Sequence, residues 1–545
     1  MQHTTKAEIQ AEISEARGQE GHWFCLLLVG TAFLCFWSLG SLPLMDADEP
    51  VYGEVGKEMA RAGWSGWLTP HNGGLMWFDK PPLFYWLTAL SMRLLGVSEF
   101  SARLPSALLG IGLVAVTYAL ARRAFPNSPR VGLWAGFALA TCVQFFMLAR
   151  GAVTDMTLVL TLTLALYGVY GWAQTGRGRL IALAGAMTGL AALAKGPVAL
   201  VLIGVQTIAY LCLTRQARRL LSPALWGGFA LCLLIGLPWY VAMVHLHGQL
   251  FIQGFLEANN VTRYLQAGHQ TTSSPLFFVP VLLGLFFPWS LALPGALVLA
   301  GRQSLAVARK QVSDSPALFL GLWVVLVFVF FSASQSKLIT YIFPLYPAAA
   351  ILVGRWLAEK HETSAGFVPL GIYSGISFLL GIALFIAGRK YDVTLETRIL
   401  WLGVSLVAGL MAVIYRQRNW VWAIPGIATV AVLMLTWCSP TWKTRETEIS
   451  ERKLAPVASA ATQPGQPIYS LGLKHPSLRY YATRPVVYVD DHALAARDIQ
   501  NHPGIVYAMR PEVLQELHER YKLTHYETVL KYPRTVVIRG TVATP

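Results

Sequence analysis

Long apolar stretches separated by short polar ones dominate the first 438 residues of this chain. A helix needs about 20 apolar residues to cross the hydrocarbon core of a bilayer. The pattern therefore predicts a polytopic, all-α membrane protein with about 13 transmembrane helices. The predicted spans are 22–42, 104–122, 131–149, 154–173, 180–194, 197–214, 224–246, 276–301, 316–333, 341–357, 366–387, 398–415 and 420–438.

A fourteenth apolar stretch, 83–97, is ambiguous. Its length of about 15 residues is short for a span, and a re-entrant or interfacial position is the usual alternative. We expect it to lie in the membrane surface, which places the amino terminus in the cytoplasm. If it spanned the bilayer, the amino terminus would lie outside.

Basic residues occur in every second loop, and such loops are typically cytoplasmic. They are Arg122/Arg123/Arg130, Arg177/Arg179, Arg215/Arg218/Arg219, Arg302/Arg309/Lys310, Arg355/Lys360 and Arg416/Arg418. The remaining loops then face away from the cytoplasm. Two of these, 43–103 and 247–275, are long, and long loops in compact proteins are usually functional.

The composition becomes that of a soluble protein after Pro440. Four short β-rich runs and one helical run predict a small α/β domain on the outer surface. The runs are 467–472, 486–490, 504–509 and 535–539, with the helix from Pro511 to about Lys522. We expect a transmembrane domain over 1–438, with a large first outer loop at 43–103, and an α/β domain over 439–545.

Composition supports this class, with 55% hydrophobic and 13% charged residues. The net charge of +15 could indicate nucleic-acid binding. We favour topology-determining loop Lys and Arg instead, and expect no nucleic-acid partner. The six cysteines lie in or beside apolar runs without zinc or disulfide spacing. No nucleotide-binding glycine loop or hydrolase nucleophile motif is present.

Charged and polar residues gather at the predicted outer ends of the helices, where such residues are costly and often functional. They are Asp48, Glu49, Asp79, Lys80, Arg103, Arg150, Asp155, Lys195, Arg263, His269, Lys337 and Tyr341. The cations can bind a phosphate. The carboxylates can act as a base, orient hydroxyls, or hold an ammonium or metal ion. Structural alternatives remain open: carboxylates as helix caps, lysines as interfacial anchors, and Arg263 and His269 as ordinary loop residues.

Several of these residues lie in motifs that resemble those of the GT-C membrane glycosyltransferases of the protein O-mannosyltransferase superfamily. The motifs are Asp48-Glu49, Phe78-Asp79-Lys80-Pro81-Pro82 with Tyr85-Trp86, Glu99 to Pro105, Arg150 to Asp155, Leu193 to Pro197, and Lys337 to Pro344. Within that superfamily the chain most resembles the bacterial transferases that attach 4-amino-4-deoxy-L-arabinose to lipid A. The resemblance covers most of the chain.

The resemblance implies a monomeric inner-membrane enzyme whose active site faces the periplasm among membrane lipids. The donor would be an undecaprenyl-phosphate-linked aminoarabinose, and the acceptor a phosphate of lipid A. Asp48, Asp155 and Glu49 would be catalytic, with Asp48 at the reaction centre as a base or a positioning group. The donor phosphate would be bound by Lys80, Arg263, Lys195, Lys337 and Tyr341, and the substrates by Tyr52, Asp79, Tyr85, Arg103 and Arg150.

The sequence departs from this family at two places that concern a metal. Asp79 stands where relatives often carry Glu, and Asn259-Asn260 where we expect a Glu-His pair. Asp79 and His269 are the remaining candidates for ligands. We expect no required cofactor, and a divalent metal stays an open alternative.

Two other functions remain open. The first is another polyprenyl-phosphate-sugar transferase with a protein or glycan hydroxyl as acceptor, for which Asp48 would serve as general base. The second is a lipid or solute transporter. Transporters often carry internal repeats and paired broken helices. This chain has one such break, at Lys195-Gly196-Pro197, and no evident repeat.

Overall fold

The computed structural model describes residues 6–262, 274–309, 315–361 and 450–542, with the single positions 386, 395 and 402. Apart from those positions, the predicted spans 366–387, 398–415 and 420–438 lie outside the described residues. So does the predicted domain boundary at 438.

The described residues before 362 are mostly helical. The helices are α1 (Lys6–Phe36), α2 (Asp48–Arg61), α3 (Leu83–Leu95), α4 (Glu99–Ala124), α5 (Pro129–Ala140), α6 (Val143–Ala149), α7 (Asp155–Thr175), α8 (Gly178–Lys195), α9 (Val198–Leu213), α10 (Pro223–Phe251), α11 (Phe278–Leu285), α12 (Leu293–Ala308), α13 (Pro316–Ala333) and α14 (Tyr346–His361). A π-helical segment, Ile252–Thr262, continues α10. A two-stranded hairpin of β1 (His71–Asn72) and β2 (Leu75–Met76) lies between α2 and α3.

Six helices in the described part of the chain are long and apolar enough to cross a membrane. Each coincides with a predicted span. They are Gln19–Phe36, Glu99–Ala124, Asp155–Thr175, Gly178–Lys195, Pro223–Glu257 and Pro316–Ala333.

Two predicted spans are each divided between two helices. The stretch 131–149 is the pair α5 and α6, which is bent by 66° and would count as a seventh span if it crosses as one unit. The stretch 276–301 is divided between α11 and α12. Pro288 lies between these helices, and Pro294 lies in the first turn of α12. Proline lacks the amide hydrogen that helix continuation needs, so hydropathy predicts the apolar stretch but not its breaks.

The ambiguous stretch 83–97 forms α3, which has 13 residues. At about 1.5 Å per residue, α3 is too short to cross a hydrocarbon core about 30 Å thick. It packs against α2 and α4 and exposes Leu90, Leu94 and Leu95. This arrangement suits a helix whose outer face contacts lipid.

Residues after 450 form a small α/β unit. Its five-stranded sheet has the order β4-β3-β5-β7-β6, with β3 parallel to β4 and β5, and β7 antiparallel to β5 and β6. The strands are β3 (Ile468–Leu471), β4 (Val486–Val489), β5 (Val506–Met509), β6 (Tyr526–Lys531) and β7 (Val536–Gly540). The helices are α15 (Leu454–Ala461), α16 (Pro476–Tyr481), α17 (His492–Asn501) and α18 (Pro511–Tyr521). The four predicted strands and the helix after Pro511 are present. Strand β6 and helices α15, α16 and α17 were not predicted from the sequence.

Glycines bring α8 and α10 into close contact. A Cβ added to Gly185 would lie 1.9 Å from the carbonyl oxygen of Gly228, and one added to Gly189 would lie 2.7 Å from that of Cys232. Small residues let helix backbones approach within a membrane, where packing replaces the hydrophobic effect between helices. The α8–α10 contact in turn holds the end of α8, where Lys195 lies.

Alternating helix directions separate the two ends of the bundle. At one end, Arg123 donates a 2.8 Å hydrogen bond to the Tyr167 hydroxyl and Arg219 a 2.7 Å bond to the Trp172 carbonyl. At the opposite end, α7 begins at Asp155 and α8 ends at Lys195. Arg123 and Arg219 therefore lie at the opposite end of these helices from Asp155 and Lys195.

We predict that Gly185→Val lowers the thermal stability of the purified protein, because the new side chain would overlap the Gly228 backbone, which cannot rotate away. Overpacking of this kind costs about 1–3 kcal/mol. Gly204→Val is the matched control, since a Cβ at Gly204 meets nothing within 4 Å. Thermal unfolding in detergent measures both variants. Equal shifts in the unfolding midpoint would contradict the packing role.

Candidate active site

A cavity of about 470 Å³ opens where the first long loop, the end of α10 and the C-terminal domain meet. Each of these parts contributes to its wall. The lining residues are Ala47, Asp48, Val51, Tyr52, Met76, Trp77, Phe78, Asp79, Leu250, Gly254, Asn259 and Pro476.

Asp48 is the first residue of α2 and is accessible from this cavity. A carboxylate in the first turn of a helix is stabilised by the unpaired amide hydrogens there. The capping position itself is held by Ala47, which has no polar side chain. Asp48 is therefore not the helix cap in this structure.

Four charged side chains surround Asp48 and interact with it electrostatically: Asp79, Lys80, Asp155 and Lys195. They form two ion pairs. Lys195 Nζ lies 2.7 Å from Asp155 Oδ1, and Lys80 Nζ lies 3.1 Å from Asp79 Oδ1. The structure thus brings together five of the predicted site residues, from the first loop and from the ends of α7 and α8.

The pKa of Asp48 is raised above its ordinary value. Burial is the main cause, and repulsion by Asp155 and Asp79 adds to it, while Lys80 and Lys195 oppose the shift. A carboxylate in this setting gains from a bound cation, because an added positive charge would favour its ionised form. The site is therefore suited to a ligand that carries a positive group as well as a phosphate.

Three predicted aromatic residues adjoin this charge cluster. Lys195 Nζ lies 5.6 Å from the ring centroid of Tyr341, within the range of a cation–π contact. Tyr52 lines the cavity, and its ring centroid is 6.0 Å from that of Tyr85. Burial and the nearby Asp79 raise the pKa of both Tyr52 and Tyr85, so their hydroxyls remain neutral hydrogen-bond donors.

Glu49 and Arg103, predicted as catalytic and substrate-binding residues, form a buried ion pair with each other. Arg103 Nε and Nη2 lie 2.8 and 2.7 Å from the two carboxylate oxygens of Glu49. Arg103 also donates to the carbonyls of residues 39, 42 and 43, and Glu49 accepts from the amides of residues 45 and 152. Neither residue lines the cavity. This geometry supports anchoring of the first loop to α4 rather than contact with substrate.

The pKa of Glu49 lies below its ordinary value. Burial alone would raise it, but the Arg103 charge and the hydrogen bonds from Arg103 and the two amides outweigh that penalty. Glu49 is therefore ionised, and its charge is neutralised by Arg103.

Arg150 and Lys337 also contact backbone carbonyls. Arg150 Nη1 donates to the carbonyls of Leu34 (2.9 Å) and Trp37 (2.5 Å), near the end of α1. Lys337, which is 1% exposed, donates to the carbonyls of Ser332 and Ser334 at the end of α13. Cations favour helix C-termini for this reason. Arg150 and Lys337 therefore cap the ends of helices, whereas binding of substrate and phosphate was predicted for them from the sequence. Their positions just after apolar stretches were the signal for the capping role.

The predicted phosphate ligand Arg263 and the predicted metal ligand His269 lie outside the described residues. Asp79, the other metal candidate, is paired with Lys80. Within the described ranges, no group of three or more His, Cys, Asp or Glu side chains could hold a metal ion.

Several cavity residues were not predicted. Leu250 and Gly254 come from the end of α10 and the π-helical segment, and Asn259 donates a 2.7 Å hydrogen bond to the Gly254 carbonyl. Pro476 comes from the C-terminal domain. The aromatic cluster in the 77–86 stretch was a signal for Met76, Trp77 and Phe78. Nothing in the local sequence indicates that Pro476 reaches a site formed more than 400 residues earlier.

Helix α16 of the C-terminal domain packs along α2. Lys57 forms an ion pair with Glu54 and donates a 2.8 Å hydrogen bond to the Tyr480 carbonyl. Burial raises the pKa of Glu54 to about 7, an effect that the Lys57 charge opposes. The contact between the two parts of the protein therefore contains a group that titrates near neutral pH.

Comparison with known proteins agrees with this architecture. Residues 79–241 match the family described as dolichyl-phosphate-mannose-protein mannosyltransferase. The chain is 28% identical over 426 residues, 74% of both chains, to an undecaprenyl phosphate-alpha-4-amino-4-deoxy-L-arabinose arabinosyl transferase of Serratia proteamaculans. It is 30% identical over 408 residues, 73% of this chain and 66% of the relative, to a transferase of the same description from Pseudomonas fluorescens.

A crystal structure of ArnT from Cupriavidus metallidurans bound to undecaprenyl phosphate has a similar fold. The TM-score is 0.78 at 24% sequence identity, and the match covers 96% of this chain and 98% of that one. The fold of this chain is therefore similar to that of this ArnT structure: mostly helical, with a small C-terminal sheet domain.

We predict that Arg103→Met destabilises the protein by about 3–5 kcal/mol, because it leaves the buried Glu49 carboxylate without its partner. The double variant Glu49→Gln/Arg103→Met should recover part of that loss, since no charge is then stranded. Thermal unfolding of the purified variants in detergent measures the difference. A double variant less stable than Arg103→Met would argue against the ion pair as the cause.

The raised pKa of Glu54 predicts a pH dependence of stability. Between its unfolded pKa of 4.5 and its folded pKa of about 7, the folded chain binds a proton that the unfolded chain has released. The contribution of Glu54 to stability therefore falls as pH rises through this window. Glu54→Gln should lose less stability than wild type between pH 5 and pH 8, as measured by thermal unfolding. Glu512→Gln, at an exposed position, is the control and should follow wild type.

Proposed function

Because residues 79–241 match the dolichyl-phosphate-mannose-protein mannosyltransferase family, we propose that this chain is a GT-C membrane glycosyltransferase that transfers 4-amino-4-deoxy-L-arabinose from undecaprenyl phosphate to a phosphate of lipid A. It is a pentosyltransferase that uses a lipid-linked sugar. The relatives named as undecaprenyl phosphate-alpha-4-amino-4-deoxy-L-arabinose arabinosyl transferases match about three quarters of the chain.

The charge cluster around Asp48 is the single observation that carries this proposal. Among the described residues, Asp48 interacts with two further carboxylates and two ammonium groups, so the five together bear one excess negative charge. An amino sugar bears one positive charge, and a carboxylate of raised pKa gains most from such a partner. Asp48, supported by Asp79 and Asp155, is assigned to hold the sugar ammonium and orient its ring.

The leaving group of the reaction is the undecaprenyl phosphate. An oxygen of the acceptor forms a bond to the anomeric carbon as the bond from that carbon to the donor phosphate breaks. Lys80 and Lys195 lie at the same cluster, where they would stabilise the negative charge that develops on this phosphate. Both are already held in place by ion pairs with Asp79 and Asp155, so little reorganisation is needed. Arg263 remains a predicted third cation.

The acceptor phosphate is ionised at neutral pH, so no general base is required to create the nucleophile. Asp48 then acts by position and charge rather than by proton transfer. A hydroxyl acceptor would instead need a base, and the raised pKa of Asp48 would suit that task. The product carries a positive sugar on lipid A. This lowers the negative charge of the outer surface and its attraction for polymyxin and other cationic peptides.

We assign the active site to the periplasmic face of the bacterial inner membrane. We also propose that the protein is a monomer with thirteen transmembrane spans. The separation of charges supports this orientation, since the basic helix ends lie opposite the Asp155–Lys195 pair. The domain over 439–545 would then lie in the periplasm. Both substrates are lipids, so the cavity must be reached from within the bilayer.

We predict that Asp48→Asn reduces sugar transfer by about 100-fold or more, because the isosteric amide cannot pair with the sugar ammonium. The assay combines purified protein, undecaprenyl-phosphoaminoarabinose and lipid A in detergent, with the product mass as readout. The matched control is Asp490→Asn, which changes an exposed carboxylate of the C-terminal domain that pairs with Lys474 at 3.2 Å. The control should transfer sugar at the wild-type rate.

Two further arms make this experiment decisive. A peptide hydroxyl acceptor replaces lipid A in one, and product there in place of modified lipid A would overturn the proposed acceptor. The other arm measures Asp48→Asn with both donor and lipid A present, and wild-type activity of this variant would contradict the proposal. That outcome would remove Asp48 from the reaction centre.

A further inference from the structure

The segment that leads into Asp48 is held by the C-terminal domain. The Leu44 amide donates a 2.8 Å hydrogen bond to the Tyr481 hydroxyl. The Asp46 carboxylate accepts two hydrogen bonds from Ser477: one from its amide, at 2.8 Å to Oδ1, and one from its hydroxyl to Oδ2. Ser477 and Tyr481 both belong to α16.

Local structure alone does not provide this support. The capping position of α2 is Ala47, whose side chain cannot accept a hydrogen bond from the first turn. The Met45 amide does donate to Glu49 at 2.9 Å, which joins the segment to α2. The described contacts that fix the segment from outside α2 at Leu44 and Asp46 come from α16.

Ser477 is itself well fixed. It is fully buried, and its hydroxyl oxygen accepts a 3.0 Å hydrogen bond from the Glu451 amide while its hydrogen is given to Asp46. The neighbouring Pro476 forms part of the cavity wall. The start of α16 therefore both lines the cavity and binds the residue two positions before Asp48.

Close packing further along α2 keeps α16 in register. A Cβ added to Gly53 would lie 3.1 Å from the Tyr480 ring, and Lys57 donates to the Tyr480 carbonyl. The start of α16 thus contacts the segment before α2, and its end contacts α2 itself. A shift of α16 would be passed on to Asp46.

We propose that Ser477 is a positioning residue for the transfer reaction: by holding Asp46, it fixes Asp48 in the cavity. This inference rests on the proposed function. Two residues of chain span at most about 7 Å, so movement of Asp46 is transmitted to Asp48 with little loss. A misplacement of about 1 Å in a reacting group can cost about 100-fold in rate.

The test compares Ser477→Ala, Asp46→Ala and the double variant in the lipid A transfer assay. We expect each single variant to lower kcat by about 10-fold or more while the donor KM changes by less than about twofold, because geometry and not donor affinity is altered. The double variant should be no worse than the single ones, since all three cut the same link. Asp46→Ala also leaves the Glu451–Ser477 bond intact, so it reports on the link without disturbing the domain interior.

Arg452→Gln is the matched control. It removes a contact between the same two parts of the protein, the 3.1 Å ion pair of Arg452 with Glu99, and leaves the hydrogen bonds from Ser477 to Asp46 in place. Its kcat should stay within about twofold of wild type. Hydrogen exchange over residues 44–50, measured without substrate, should accelerate in Ser477→Ala and not in Arg452→Gln.

The outcomes separate the two proposals. If the wild type is active, two results would overturn the positioning role alone. One is an unchanged kcat in Asp46→Ala, and the other is a double variant whose loss equals the product of the two single losses. A kcat loss in Arg452→Gln equal to that in Ser477→Ala would also overturn it, because domain docking in general would then explain the effect. A wild type that transfers no sugar would overturn the proposed function, and with it the role of Ser477.

Discussion

The ion pair between Lys195 and Asp155 is the contact on which the candidate site depends. These residues lie at the adjacent ends of two apolar helices, where an unpaired charge would be strongly disfavoured. Their attraction across 2.7 Å satisfies both charges and aligns the ends of α7 and α8. The close contact of α8 with α10 at Gly185 and Gly189, earlier in α8, supports the same alignment. A charged pocket is thereby built into an otherwise apolar bundle.

The charged residues of the candidate site form two groups that differ in the partners to which they bind. Arg103, Arg150 and Lys337 are surrounded by backbone carbonyls or by one buried carboxylate, and these contacts join the loops to the helices. Lys80 and Lys195 are paired with side chains that also interact with the accessible Asp48. A ligand can exchange with side-chain carboxylates at low cost, whereas it cannot displace the ends of helices. The second group is therefore the better candidate for substrate contact.

The C-terminal domain is part of the site and not only an attached unit. It supplies Pro476 to the cavity wall, and its helix α16 holds the chain just before Asp48. For the proposed lipid substrates, apolar helices can form the part of the cavity wall that lies in the membrane. The α/β domain, which docks on the first loop, would then cover the side of the cavity that faces water.

Six of the predicted membrane helices, four strands of the C-terminal α/β unit and the gathering of charged residues at helix ends could be predicted from the sequence. Apolar runs of bilayer length, alternating basic loops and β-rich runs are local signals, so they can be read without coordinates. Asp48, Asp79, Lys80, Asp155 and Lys195 could be named as one cluster because topology puts them on one side of the membrane. Tertiary structure alone decided that Glu49 pairs with Arg103, that Lys337 binds the end of α13, and that Pro476 and Ser477 reach the first loop. Those facts depend on which side chains meet across long separations in the chain, and hydropathy and motif spacing carry no information about such distances.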